Sequence, residues 1–157
     1  MIEYTRSATL EDLKSLLHSL NQHSVEYFLI GGYALAAHGY LRATTDIDVL
    51  VPATFLSGEL VVKVLMVLPD QAAKDIDPLW FAEGENIRVN DQFVVDIMLN
   101  ANGHTYEMLK DFAEIIDLEG IPVRTLNLSD LLLTKKTMRQ KDQIDAMLIE
   151  RVLNTSK

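Results

Sequence analysis

The feature that most narrows the possible folds is a junction near residue 30. An apolar, strand-like run at 27–30 meets Gly31-Gly32, and a helical pattern at 33–38 begins at once. A chain that turns from strand to helix within two residues needs backbone freedom there, which glycine supplies. The start of such a helix presents unpaired N–H groups that favour an anion, most naturally a phosphate. A tight strand-to-helix turn with no ligand also accounts for most glycine pairs in such a place.

The rest of the pattern builds outward from this junction. Residues 9–22 carry Leu10, Leu13, Leu16, Leu17 and Leu20 at helical spacing behind a Thr9 start that resembles an N-cap. A β-rich run at 45–51 ends at Pro52, and 56–68 reads as a helix. Two further β-rich runs, 86–89 and 93–99, flank Asn90-Asp91-Gln92 as a hairpin. A short helix is expected at 106–112, and strands at 113–118 and 121–126 around Glu119-Gly120. Helices at 129–136, with Ser129 as cap, and at 140–153 close the chain. This order predicts an α+β fold, a mixed β-sheet covered on one face by flanking helices, with a short helical C-terminus. No repeat or linker divides it, so 1–157 reads as one domain with a core of about 25–126 and C-terminal helices of about 128–154.

Composition bounds the function. With 48% hydrophobic residues the 157-residue chain can bury a substantial core, and with no cysteine, thiolate and disulfide chemistry are excluded. A net charge of −9 repels phosphate backbones and anionic lipid, so neither an extended nucleic acid nor a membrane is an expected partner. The start lacks the basic and apolar regions of a signal peptide, and the longest nearly apolar run, 60–68, is far short of a membrane span. A soluble, cytoplasmic protein is expected.

The chemistry is concentrated in acids. Asp46 and Asp48 stand two apart in a β-rich run, so on a strand both carboxylates project from one face. Two like charges so close repel, and a divalent cation removes the conflict. Mg²⁺ suits one or two carboxylates completed by substrate phosphate oxygens. Asp96, flanked by Phe93, Val94, Val95, Ile97, Met98 and Leu99, is an odd choice for a sheet interior, because an unpaired buried carboxylate is costly. A metal already held by Asp46 and Asp48 would give it a partner. Two metal ions held by three carboxylates can activate a hydroxyl and brace the leaving pyrophosphate of a nucleoside triphosphate.

These residues resemble the polymerase-β-like nucleotidyltransferase superfamily, whose pattern is a glycine turn, an Asp-x-Asp pair and a third acid on a later strand. The fuller strings GGYALAAHG and RATTDIDVLV are similar to the subset with Gly-Gly-x-Ala-x-x-x-His-Gly followed by Arg-x-Thr-x-Asp-Ile-Asp. Small bacterial nucleotidyltransferases and type IV toxin–antitoxin toxins fall near it, and antibiotic-modifying enzymes share its chemistry. The resemblance implies the polymerase-β-like fold and a metal-dependent transfer of NMP from an NTP to an acceptor hydroxyl. Asp46, Asp48 and Asp96 would be both catalytic and metal-binding, around two Mg²⁺ ions or Mn²⁺. Gly31 and Gly32 would contact the triphosphate. Arg42 would either pair with phosphate or hold the aspartate strand in place. Thr44 and Thr45 suit strand support, and His38 a structural hydrogen bond.

A second constellation lies at 131–142, where Lys135, Lys136, Arg139 and Lys141 face only Asp142, a local charge of +3. It resembles the family's closing Lys…Arg-x-Lys-Asp-x-x-Asp segment, in which a lysine reaches the nucleotide phosphates. Lys135 is the first choice for that role and Lys136 the second, so Lys135→Ala is expected to act on nucleotide affinity more than on folding. Asp142 and Asp145 read as solvated residues of a turn, with Asp142 capping the last helix. Trp80 and Phe81 read either as a platform that stacks on a base or as a pair packed against the sheet, the commoner fate of such a pair. His18, His23 and His104 are too scattered for a zinc site.

The acceptor could be a small molecule such as an antibiotic, a protein side chain or an RNA 3′ end. The alternative is a non-catalytic, antitoxin-like member acting through a protein partner. Loss of one carboxylate would favour that alternative, and all three are present.

Overall fold

Thr9 starts the first helix, α1 (Leu10–Gln22), through a reciprocal cap: Asp12 N–H donates to Thr9 Oγ1 at 3.2 Å and Thr9 N–H to Asp12 Oδ2 at 2.8 Å. Arg6 donates to both oxygens of the same carboxylate, and chiefly for that reason the Asp12 pKa is held down to about 2. Leu13, Leu16, Leu17 and Leu20 are buried on one side, each worth about 1.5–3 kcal/mol of transfer energy. Leu10, on the same periodic pattern, is left exposed.

A computed structural model of the protein describes residues 5–40, 44–135 and 140–155. Strand β1 (Phe28–Ile30) runs into helix α2 (Gly31–Ala37), so both glycines lie inside the helix that was expected to follow them. Next come β2 (Ile47–Leu50) and α3 (Phe55–Leu65), the latter capped by Thr54. A 3₁₀ turn at Ala72–Asp75 and the short helix α4 (Leu79–Ala82) follow, neither anticipated. Helix α4 packs so closely on α3 that a Cβ at Gly58 would lie 2.7 Å from the Pro78 carbonyl and 2.8 Å from the Phe81 ring. Phe81 is fully buried as expected, whereas its neighbour Trp80 is 37% exposed, because successive residues of a helix face different directions.

Strands β3 (Ile87–Asn90) and β4 (Val94–Met98) form the expected hairpin. Helix α5 (Tyr106–Leu109) leads through a 3₁₀ turn to a second hairpin, β5 (Ala113–Leu118) and β6 (Ile121–Leu126). Helices α6 (Leu128–Lys135) and α7 (Gln140–Thr155) pack against each other. The α6 start differs from expectation. Asn127, not Ser129, supplies the cap, accepting from the Asp130 N–H at 2.9 Å.

The fold is α+β, with one mixed sheet in the order β3-β4-β2-β1-β6-β5. Strand β2 pairs antiparallel with β1 and parallel with β4, while β1 pairs parallel with β6. Register assigns the two faces. Leu29, Ile47, Val49, Val95, Ile97 and Thr125 share one face and are at most 1% exposed, in one core with the leucines of α1 and the valines of α3. The opposite face carries Phe28, Ile30, Asp48, Leu50, Asp96 and Met98. It is covered at one end, where Phe28 stacks on Tyr106 with ring centres 4.5 Å apart, and opens at the other, around the acids. Among the described residues, no helix is long and apolar enough to cross a membrane.

Candidate active site

Asp48 and Asp96 are direct neighbours across the β2–β4 ladder. Parallel strands lie about 4.8 Å apart, and opposed side chains point the same way, so the backbone alone brings the two carboxylates together. Ile30, the last residue of β1, is opposite Asp48 on the other side. Gly31 therefore stands directly over the Asp48 carboxylate. A Cβ at Gly31 would lie 2.2 Å from Asp48 Oδ2, 3.0 Å from Cγ and 3.1 Å from its Cβ, and φ there is +76°. Glycine is thus required twice, by the left-handed backbone and by the space the carboxylate fills. Gly31→Ala is expected to push Asp48 aside and to cost about 1–3 kcal/mol in backbone strain alone. Unaltered urea-unfolding stability in that variant would show that neither the left-handed backbone nor the Asp48 contact requires glycine at this position.

Asp46 precedes β2. The backbone just before it is anchored by the Ala8 N–H, which donates to the Thr45 carbonyl at 2.9 Å, and Ala8 is in turn held by the Tyr33 hydroxyl at 2.7 Å. Thr45 Oγ1 donates to Asp46 Oδ1 at 3.0 Å, in line with the support role expected of it.

The residue that sequence reasoning missed is Arg88. From edge strand β3 its guanidinium donates through Nε to Asp96 Oδ1 at 2.9 Å and through Nη2 to Asp96 Oδ2 at 3.1 Å. The same Nη2 lies 3.5 Å from Asp46 Oδ2. The hydrogen bonds to Asp96, assisted by the charges of Asp96, Asp46 and Asp48, raise the Arg88 pKa above its ordinary value. One guanidinium thus offsets part of the repulsion among three acids.

These groups line one cleft of about 200 Å³, bounded by Ile30, Gly31, Asp48, Arg88, Asp96 and Met98 on the sheet side. Ala101, Asn102, Thr134, Lys135 and Asp142 complete its wall. Gly31, Asp48, Asp96 and Lys135, singled out far apart in the sequence, therefore converge, with Asp46 held at the rim by Arg88. Gly32 is buried within α2 and is not among the cleft-lining residues described. Arg42 and Lys136 lie outside the described residues.

Lys135 has a second commitment. It is only 5% exposed, and its Nζ lies 3.2 Å from Asp142 Oδ1 and 2.9 Å from Asp145 Oδ2. The reading of Asp142 and Asp145 as solvated residues is therefore corrected: they are 6% and 0% exposed. Spaced three apart on α7, they face one way and clasp the lysine from α6. His38 Nε2 lies 2.8 Å from the Leu126 carbonyl, the structural hydrogen bond expected of it.

The donor chemistry suits a hard cation: carboxylate oxygens at the mouth of a polar cleft. The third acid is engaged, however, by Arg88 through both oxygens. Among the described residues no group of three or more His, Asp or Glu is disposed to hold a metal ion together. Asp46 and Asp48 are as many carboxylates as Mg²⁺ commonly takes from a protein. Compared with protein-family models and with curated proteins, the chain matches none.

Proposed function

We propose that the cleft is the active site of a nucleotidyltransferase of polymerase-β-like fold, which moves an NMP from an NTP to an acceptor hydroxyl. The observation that carries this reading is the Asp48–Asp96 pair in parallel register beneath Gly31, in a cleft that also contains Arg88 and Lys135. Paired acids with basic groups opposite suit a polyphosphate whose charge must be both tolerated and held. The mixed sheet and the C-terminal helix pair are compatible with that fold.

In this reading Asp46 and Asp48 hold Mg²⁺ or Mn²⁺, and the bound ion supplies hydroxyl activation and charge neutralisation on the leaving group. Gly31 leaves room for the carboxylate beneath it and for a close approach of the substrate. Lys135, its ammonium held between Asp142 and Asp145, fixes the α6–α7 wall that faces the phosphates. The acceptor oxygen bonds to the α-phosphorus, the bond from that phosphorus to the bridging oxygen breaks, and pyrophosphate leaves. Asp96 takes the hydroxyl proton on a carboxylate oxygen. Alignment and charge placement account for most of the rate in chemistry of this kind. The acceptor is a small molecule, a protein or an RNA 3′ end.

Incubation with each α-labelled NTP, Mg²⁺ and a cell extract tests the reading. Label is expected in one fraction, RNA, protein or small molecule, and the fraction names the acceptor class. If no fraction is labelled and no NTP with Mg²⁺ raises the melting temperature, the reading fails. A stable protein partner recovered under those conditions would instead favour a non-catalytic, antitoxin-like role.

A further inference from the structure

Arg88 has no part in the reaction as just described, yet it is bidentate to Asp96 and reaches Asp46. We propose that Arg88 is a placeholder for the cation and a binding residue for the polyphosphate: it holds Asp96 and Asp46 together in the ligand-free protein, then turns to phosphate oxygens when nucleotide and metal enter. This inference rests on the nucleotidyltransferase reading and adds to it a residue with two alternating partners.

Three features carry it. The guanidinium is bidentate to Asp96 and reaches Asp46, one of the two acids that would hold the cation, so it already supplies positive charge to the acid cluster that ion would serve. Its side chain is 55% exposed, and ion pairs that open to water are weak, so the contact is exchangeable rather than locked. The planar fork that fits a carboxylate fits a phosphate equally well, and Arg88 lines the same cleft as Gly31 and Lys135. A residue that merely fastened edge strand β3 would need none of this, because β3 is already paired to β4 along its whole length.

The experiment is Mn²⁺ binding without nucleotide, read from the free-ion electron paramagnetic resonance signal, alongside nucleotide affinity by calorimetry at constant ionic strength. Arg88→Ala is expected to bind Mn²⁺ about fivefold or more tightly, the effect of one unit charge at about 4 Å even in bulk water. It is expected to bind NTP with Mg²⁺ at least about tenfold more weakly, as loss of charged hydrogen bonds implies. Arg88→Lys, which keeps the charge and loses the fork, should leave Mn²⁺ affinity near wild type and weaken NTP to an intermediate degree. Arg88→Gln replaces the alanine variant if circular dichroism shows that alanine disturbs the sheet. Unchanged or weaker Mn²⁺ binding in the neutral variants, with wild-type protein binding both ligands, overturns the placeholder role and leaves the enzyme reading standing. Tighter Mn²⁺ binding with unchanged NTP affinity overturns the polyphosphate role. Binding of neither ligand by wild-type protein overturns both the inference and the reading beneath it.

Discussion

Lys135→Ala should lose about 3–5 kcal/mol of stability, the usual cost of removing one partner from a buried ion pair. The lysine lies between Asp142 and Asp145 at 3.2 and 2.9 Å, and Asp145 is wholly buried. Taking away the ammonium leaves two neighbouring carboxylates in a low-dielectric seam between α6 and α7 without that counter-charge. A domain of this size commonly has about 5–15 kcal/mol in total, so the loss is a large fraction. In thermal unfolding it corresponds to a fall on the order of 10 °C. The sequence alone suggested the opposite balance, an effect on nucleotide affinity first and folding second. A variant that melts within a degree or two of wild type would show that the lysine is dispensable to the helix pair. Asp145→Asn in the alanine background should restore part of the loss, since it removes one of two neighbouring negative charges.

Asp46→Asn should act in the reverse sense. Under the proposed chemistry, loss of a charged group that serves the transition state lowers transfer by at least about 10²-fold. Mg²⁺-dependent stabilisation by NTP should disappear with it. The fold has little to lose, because the contact at 3.5 Å from Arg88 is an open ion pair worth about 0–1 kcal/mol. Removing one of three crowded negative charges also relieves repulsion. Thermal unfolding without ligand is thus expected within about 1 kcal/mol of wild type. If NTP and Mg²⁺ still raise the melting temperature of this variant to the wild-type extent, Asp46 has no place in the metal site. Together the two variants separate residues that support the architecture from residues that serve the chemistry.

Much of the site was legible because its members are unusual for where they sit. An acid inside a run such as Phe93-Val94-Val95-Asp96-Ile97-Met98 calls for a partner wherever the strand goes. A glycine pair between strand and helix marks a close approach. Arg88 escaped for a reason of register. A turn at Asn90-Asp91-Gln92 would set Asn86, not Arg88, across from Asp96. The actual pairing is Asn90 with Val94, so the turn is one residue further on and Arg88 meets Asp96. Asp91 accounts for the shift: its carboxylate accepts from the Asp70, Ala72 and Gln92 N–H groups, while Phe93 is drawn into the core at 2% exposed. Both are long-range effects that local propensity does not carry. Asp142 and Asp145 were misread likewise, since charged residues beside a basic run look solvated until a facing helix closes over them.

The order of strands has a consequence for how this cleft comes into being. Asp48 and Asp96 belong to strands that are adjacent in the sheet yet far apart along the chain, Gly31 follows a third strand, and Lys135 comes from a helix near the C-terminus. No contiguous stretch of the protein owns the cleft. Its assembly waits on non-local parallel pairing, among the slowest events in forming a sheet. The acids are therefore brought face to face only when the central strands have closed, and a nascent chain can carry all three of them before the site exists.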